Sequence, residues 1–406
     1  MLSQKTIEIV KSTVPILAAR GTEITSCFYR MMLNNHPELL NIFNHANQQK
    51  GRQQTALANT VYAAAKHIDQ LHVLLPVVKQ IAHKHRSLGV KPEHYPIVGK
   101  HLLLAIKEVL GDEATDEVLQ AWEEAYGVIA KVFIDIEQEM YKEAAEQEGG
   151  WKDFKEFVLV RKEEESSVIT SFYLKPKDGA PLPMFQPGQY ITVRLQIPGE
   201  EYTLNRQYSL SSAPGNNTFR ISVKREADRK PHGKVSNYLH DHFHVGDTIE
   251  VSVPAGDFVL EETEENDVAF ISGGVGVTPM MSMLEHLVKI KSNRRVSFIH
   301  AAKNEDVHAF KEDVKQLIGQ LEHARQFTIY EQPINENSEY DLKGFITKDF
   351  LQSIVHKDTI CYVCGPVPFM QTIIHHLQEL GLPETHIRYE FFGPSMAMDQ
   401  LEIVNS

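Results

Sequence analysis

Cysteine is scarce, with three in 406 residues. That is too few for a disulfide framework and fits a reducing compartment, the cytoplasm. An excess of basic residues is also missing. The formal net charge of −13 argues against nucleic acid as partner, because a phosphate backbone needs a basic surface, and nothing favours an anionic membrane. No run approaches the roughly 18 apolar residues of a membrane span. Met1-Leu2-Ser3-Gln4-Lys5 opens an amphipathic segment rather than a secretion signal. Cys361 and Cys364 have C-x-x-C spacing, but they lie in the β-type run Thr359-Ile360-Cys361-Tyr362-Val363-Cys364. Residues three apart on a strand face opposite ways, so neither a shared metal nor a redox pair is expected. What is present is an ordinary apolar content of 42%, enough for two or three globular domains.

Those domains separate by pattern. Residues 1–145 read as helix after helix. The longest stripe runs through Val118, Trp122, Ala125, Tyr126, Ile129, Val132, Phe133, Ile136 and Met140 at steps of three and four. An acidic stretch and Gly149-Gly150 make residues 146–151 a hinge-like linker. Residues 152–262 hold short β-type runs punctuated by Pro187-Gly188, Pro198-Gly199, Pro214-Gly215 and Gly246-Asp247, the pattern of a small antiparallel barrel. Residues 263–406 alternate strand and helix, an α/β unit. The expected fold is therefore multidomain: all-α, then antiparallel β-barrel, then α/β.

In the first domain Val78, Ile81, His85 and Leu88 share one helix face, so a histidine sits in an apolar stripe. Gly89 ends that helix and Pro92 forbids its continuation, which lets Tyr95 return towards His85. An imidazole so placed is how a protein holds haem iron from one side, and is also how a core histidine bonds a carbonyl. His83 lies about 200° round the helix from His85 and is a poor alternative ligand. His45, His67, His72, His94 and His101 read as surface or loop groups.

In the barrel, Arg206-Gln207-Tyr208-Ser209 puts a cation and an aromatic plane two residues apart on one strand face. That pair suits a phosphate and a flavin ring, or a plain cross-strand contact. Gly233-Lys234-Val235-Ser236 opens a helix whose free N–H groups suit a pyrophosphate. In the third domain Gly273-Gly274-Val275-Gly276-Val277-Thr278-Pro279 follows a strand, with Thr278 expected as N-cap and Pro279 at the first helical position. Pro279 stands where a plain G-x-G-x-x-G would have its third glycine. Cys364-Gly365-Pro366 lies at another strand end, where open α/β sheets bind ligands.

Barrel and α/β unit together resemble the ferredoxin–NADP reductase superfamily over roughly residues 151–394. The resemblance implies that Arg206 contacts flavin phosphate, Tyr208 and Tyr190 pack at the flavin, and Gln207, Ser209, Gly233, Val235 and Ser236 line it. Tyr389-Glu390-Phe391-Phe392-Gly393-Pro394 matches the segment whose aromatic, here Phe392, covers the other flavin face, with Glu390 tuning its potential. Gly273 to Thr278 and Cys364 to Pro366 would bind NAD(P)H. With Phe28-Tyr29-Arg30, Phe43, Gln53, Leu57, His85, Tyr95, Val98-Gly99, Ala121-Trp122, Ala125-Tyr126-Gly127 and Glu137 added, the whole chain resembles the bacterial flavohaemoglobins. This implies a globin domain with haem b, His85 as iron ligand, Tyr95 and Glu137 behind it, and Tyr29, Gln53 and Leu57 on the oxygen side. Phe43 would wedge the haem and Lys84 would lie at its pocket.

The activity implied is nitric oxide dioxygenation. On this resemblance NAD(P)H would reduce FAD, FAD would reduce haem, and haem-bound O2 would oxidise NO to nitrate in a monomeric, cytoplasmic enzyme. Two other classes stay open: a sensing or oxygen-binding globin kept ferrous by its reductase, and a flavin reductase for an external acceptor. Ala301-Ala302-Lys303-Asn304 carries neither a clear ribose acid nor an arginine clamp, so NADH and NADPH are both candidates.

Overall fold

The computed structural model describes residues 2–43, 51–227, 230, 232–263, 265–335 and 338–392. His45, Gly393 and Pro394 lie outside the described residues.

The chain begins with helices α1 (Gln4–Ser12) and α2 (Val14–Asn35). The apolar stripe from Leu2 to Leu33 breaks at Thr13 because Pro15 lacks the N–H that would bond the Lys11 carbonyl. Then come α3 (Arg52–Lys66), α4 (Leu75–Leu88), α5 (His94–Leu110) and α6 (Asp116–Glu146). Their core includes Ile24, Phe28, Met32, Leu102, Ile106 and Trp122. Gly89 caps α4 in the left-handed region, at φ +83°. The Gly89 N–H donates to the Arg86 carbonyl and the Val90 N–H to the His85 carbonyl. This sharp stop turns the chain back into α5 and brings Tyr95 beneath His85.

The expected hinge is a close-packed turn. A Cβ on Gly149 would lie 2.8 Å from the Pro181 carbonyl oxygen, and Trp151 is buried in the barrel core with its indole N–H on the Val251 carbonyl, 3.1 Å.

Strands β1 (Phe154–Glu164), β2 (Ile169–Pro176), β3 (Tyr190–Leu195), β4 (Leu204–Ser209), β5 (Phe219–Lys224) and β6 (Thr248–Ser252) form an antiparallel sheet in the order β4-β3-β6-β1-β2-β5. A bridge between Leu210 and Ile221 joins its two edges into a barrel. Helix α7 (Lys234–His242) plugs it with Val235 and Leu239. Lys162 Nζ donates to the carbonyls of Leu239, His240 and Phe243 at that helix's C-terminal end, 2.7–3.1 Å.

The last unit contains β7 (Val268–Gly273), α8 (Val277–Lys289), β8 (Val296–Ala302), α9 (Lys311–Ile318), β9 (Ala324–Tyr330), β10 (Leu342–Lys343), α10 (Lys348–Gln352), β11 (Ile360–Cys364), α11 (Val367–Glu379) and β12 (Ile387–Glu390). All six strands are parallel, in the order β10-β9-β8-β7-β11-β12. The order reverses between β7 and β11, the switch point where such sheets take ligands. Cys361 packs with Ile271 on one face of the sheet, and Cys364 with Val277 on the other. The C-x-x-C spacing therefore joins no pair, and all three cysteines are free and buried.

Candidate active site

His85 lies one turn before the end of α4, facing Phe133 of α6 at 5.9 Å between ring centroids. Its Nδ1 is 2.7 Å from Glu137 Oε1. The Tyr95 hydroxyl donates to the same oxygen at 2.6 Å and lies 3.3 Å from the imidazole nitrogen. Two donors thus converge on one carboxylate oxygen of a residue only 2% exposed. Burial, then the Glu137 charge, pushes the Tyr95 hydroxyl up, so it keeps its proton. Tyr95 is fixed in turn, because the Tyr126 hydroxyl donates to its carbonyl at 2.6 Å. Gly99 makes room for that ring: a Cβ there would fall 2.4 Å from Tyr126. With Nδ1 engaged, Nε2 is the nitrogen left to face a ligand, and the His85 side chain is 33% exposed despite its apolar setting.

Across the domain, α2 buries Tyr29 against Phe28 and Phe43, with ring centroids at 4.8 and 5.9 Å. Burial pushes its hydroxyl up while a hydrogen bond with Gln53 opposes the shift. Gln53 and Leu57 sit one turn apart on α3, and Leu57 packs on the same core as Phe43.

The two residues before His85 on α4 have charged neighbours in the second half of the chain. Burial holds the Lys84 ammonium below its usual value, with Glu390 and Asp257 as opposing charges. Its charge partners thus belong to the second half of the chain. Burial likewise lowers His83, whose strongest charged neighbour is Asp257. Glu390 ends β12, and burial pushes its carboxyl up to about 8 against the pull of Lys84, with Asp257 adding to the rise.

In the barrel Tyr190 and Ser209 are opposite each other in the β3–β4 register. Tyr208 packs on the barrel core. Burial lowers the Arg206 guanidinium, which donates to the Asn205 carbonyl at 2.7 Å. The Ser236 hydroxyl is committed to its own loop: it donates to the Gly233 carbonyl and accepts from Glu226 N–H, both at 3.2 Å. Gly233 is the N-cap of α7 and among the described residues no side chain caps that helix, so the backbone N–H groups of Val235 and Ser236 lie in its first turn.

In the α/β unit a 3₁₀ turn at Gly274–Gly276 runs into α8, whose N-cap is Gly276. The expected cap is corrected accordingly: Thr278 lies inside the helix, its hydroxyl donating to the Val275 carbonyl at 3.0 Å, and Pro279 is the third helical residue. Proline is tolerated there because a first-turn N–H has no intrahelical acceptor. A Cβ on Gly276 would stand 2.2 Å from the Cys364 carbonyl oxygen, and one on Gly365 would meet Phe369 at 2.7 Å. The two loops are therefore pressed together across the switch point. Phe391 packs at the sheet edge and Phe392 is 43% exposed.

Three family models match in chain order: Globin over residues 26–133, Oxidoreductase FAD-binding domain over 156–260 and Oxidoreductase NAD-binding domain over 270–375. A Bacillus thuringiensis subsp. konkukian protein named Flavohemoprotein is 59% identical, spanning 98% of this chain and 100% of its own length. The chain belongs to the flavohaemoprotein family. The flavohemoglobin of Malassezia yamatoensis, solved with bound FAD and heme, superposes with a TM-score of 0.86 at 29% identity, covering 97% of this chain and all of its own. The FAD/NAD-binding domain of a Vibrio cholerae nitric oxide dioxygenase matches 59% of this chain and 99% of its own at 38% identity, with a TM-score of 0.55.

The residues fit the groups that a flavohaemoprotein carries. Among the described residues Ser209 Oγ and Glu390 Oε2 are buried with no hydrogen-bond partner, a cost that a bound polar ring would remove. The uncapped start of α8 and its bare glycines suit a dinucleotide phosphate. Asn41, Arg86, Ser87, Asn205 and Asp257 carry no signal in the sequence. Each also meets a residue of another domain, a relation that no local period could mark.

Proposed function

We propose that this flavohaemoprotein is an NAD(P)H-dependent nitric oxide dioxygenase, converting NO and O2 to nitrate. When bound, FAD would turn hydride into single electrons, and haem would take those electrons and activate O2. The observation that carries this reading is the shared oxygen of Glu137, which accepts from both His85 Nδ1 and Tyr95. A buried carboxylate behind an imidazole raises its donor strength at Nε2, which favours oxygen activation over reversible carriage.

The other residues have matching roles. Tyr29, kept protonated by burial, would donate a hydrogen bond on the opposite side of the pocket, with Gln53 orienting it, Leu57 keeping water out and Phe43 wedging the ring. Arg206 would clamp the flavin phosphate, the α7 N–H groups would receive the pyrophosphate, and Tyr208 and Phe392 would flank the ring. Gly273 to Thr278 and Cys364 to Pro366 would seat the nicotinamide dinucleotide. Three free, buried thiols suit a cytoplasmic enzyme.

The test is product analysis with the purified holoprotein, NADH or NADPH, O2 and NO. One nitrate per NO, with half an equivalent of reduced nucleotide consumed, is expected, since each NO requires one electron. NO that persists, or nucleotide oxidised without nitrate, would favour the reductase or sensor classes instead.

A further inference from the structure

Strand β4 has two faces, and side chains on one of them bond to the globin. Alternation puts Arg206 and Tyr208 on one side and Asn205 and Gln207 on the other. The second pair reaches the globin. Asn205 Nδ2 donates to the carbonyls of Asn41 and Ile42 at 2.9 and 3.3 Å, immediately before Phe43. Its orientation is fixed because Arg194 Nε donates to Asn205 Oδ1 at 3.3 Å. Gln207 Nε2 donates to Ser87 Oγ at 2.8 Å, two residues after His85.

A third tie lies between these. Arg86 follows His85, is 7% exposed, and donates to the Pro254 carbonyl at 2.5 Å. The next residue, Ala255, exchanges both backbone hydrogen bonds with Tyr190, each 2.8 Å. Tyr190 is opposite Ser209. Among the described residues Arg86 forms no ion pair. Burying a cation for one carbonyl is a poor source of adhesion, because desolvation offsets most of the gain. It is a good source of direction: a buried hydrogen bond tolerates little change of distance or angle.

We propose that Arg86, Ser87 and Asn205 are positioning residues that set the separation of the haem pocket from the flavin site. Each ties a segment bearing a haem-side residue, His85 or Phe43, to a segment bearing a flavin-side residue, Tyr190 or Arg206 to Ser209. This rests on the reading that flavin electrons go to the haem. A misplacement of about 1 Å can cost around a hundredfold in rate.

The experiment is anaerobic stopped-flow reduction of the full-length holoprotein by NADH under carbon monoxide, following flavin bleaching and haem reduction as separate phases. In Arg86→Met the flavin phase keeps its wild-type rate while haem reduction slows about ten- to a hundredfold. Arg86→Lys restores most of it, since one carbonyl needs only one donor. Hydrogen exchange in Arg86→Met rises in residues 86–91 and 252–257 and not in the remainder of the barrel. Ser87→Ala, a milder change, slows only the haem phase, by severalfold.

An unchanged haem phase in Arg86→Met and Ser87→Ala, no rescue by lysine, or equal slowing of both phases overturns the positioning role. If Arg86→Met does not fold, Ser87→Ala decides alone by the same criterion. Absence of haem reduction in the wild-type protein overturns the electron-flow reading itself, and the positioning role with it.

Discussion

Glu137 combines near-complete burial with two hydrogen bonds to a single oxygen, and its effect on His85 depends on charge. Glu137→Gln keeps an acceptor in place but removes that charge. Haem content should persist while nitric oxide turnover falls about ten- to a hundredfold, the usual cost of losing an outer-shell partner; unchanged turnover in a haem-replete variant would contradict the assignment. Glu390 makes a pH-dependent contribution. An unfolded carboxyl releases its proton near 4.5, whereas burial holds the folded one until about 8. The folded state therefore binds the extra proton in that window, and this site's contribution to stability falls as pH rises through it. Denaturation midpoints of the wild type relative to Glu390→Gln should decline from about pH 5 to about pH 8. A flat difference would contradict the raised carboxyl.

At the scale of elements, the switch point is the tightest construction. The β7–α8 and β11–α11 loops meet where Gly276 faces the Cys364 carbonyl, so Gly276→Ala must push backbone apart. Such overpacking costs about 1–3 kcal/mol. We expect the NAD(P)H KM for ferricyanide reduction to rise about tenfold or more with FAD content unchanged, and a wild-type KM would refute the placement. Long amphipathic runs such as α6 and β-type runs such as β3 were legible in the sequence because their period is a burial pattern. The short β10, α10 and β12 were not, since two to five residues carry no period. Thr278 misled as a cap because the 3₁₀ turn starts the helix earlier. His101 misled as a surface group. It is 1% exposed, with Nδ1 2.8 Å from the Ile97 carbonyl and Nε2 3.1 Å from Asn35, so both ring nitrogens are satisfied inside the fold. The cluster of His85, Tyr95 and Glu137 was anticipated from resemblance and helix geometry together. Arg86 and Asn205 were invisible because the bonds that single them out, to Pro254 and to Asn41 and Ile42, cross between domains.

At the scale of the whole molecule the proposed hand-overs run along one chain: nucleotide loops at the switch point, barrel strand β4 that bonds to the globin through Asn205 and Gln207, and a helix carrying His85 over Glu137. Among the described residues no helix is long and apolar enough to cross a membrane, and none of these steps needs one. In the proposed function nicotinamide electrons reach a haem held by His85 through the flavin. One anaerobic titration with NADH under carbon monoxide addresses it, reading flavin and Soret bands together. The flavin should bleach first and a ferrous–CO Soret band then grow, while His85→Ala should bleach the flavin and give no such band. Flavin bleaching with the haem left ferric in the wild type, or a normal Soret response in His85→Ala, would contradict it.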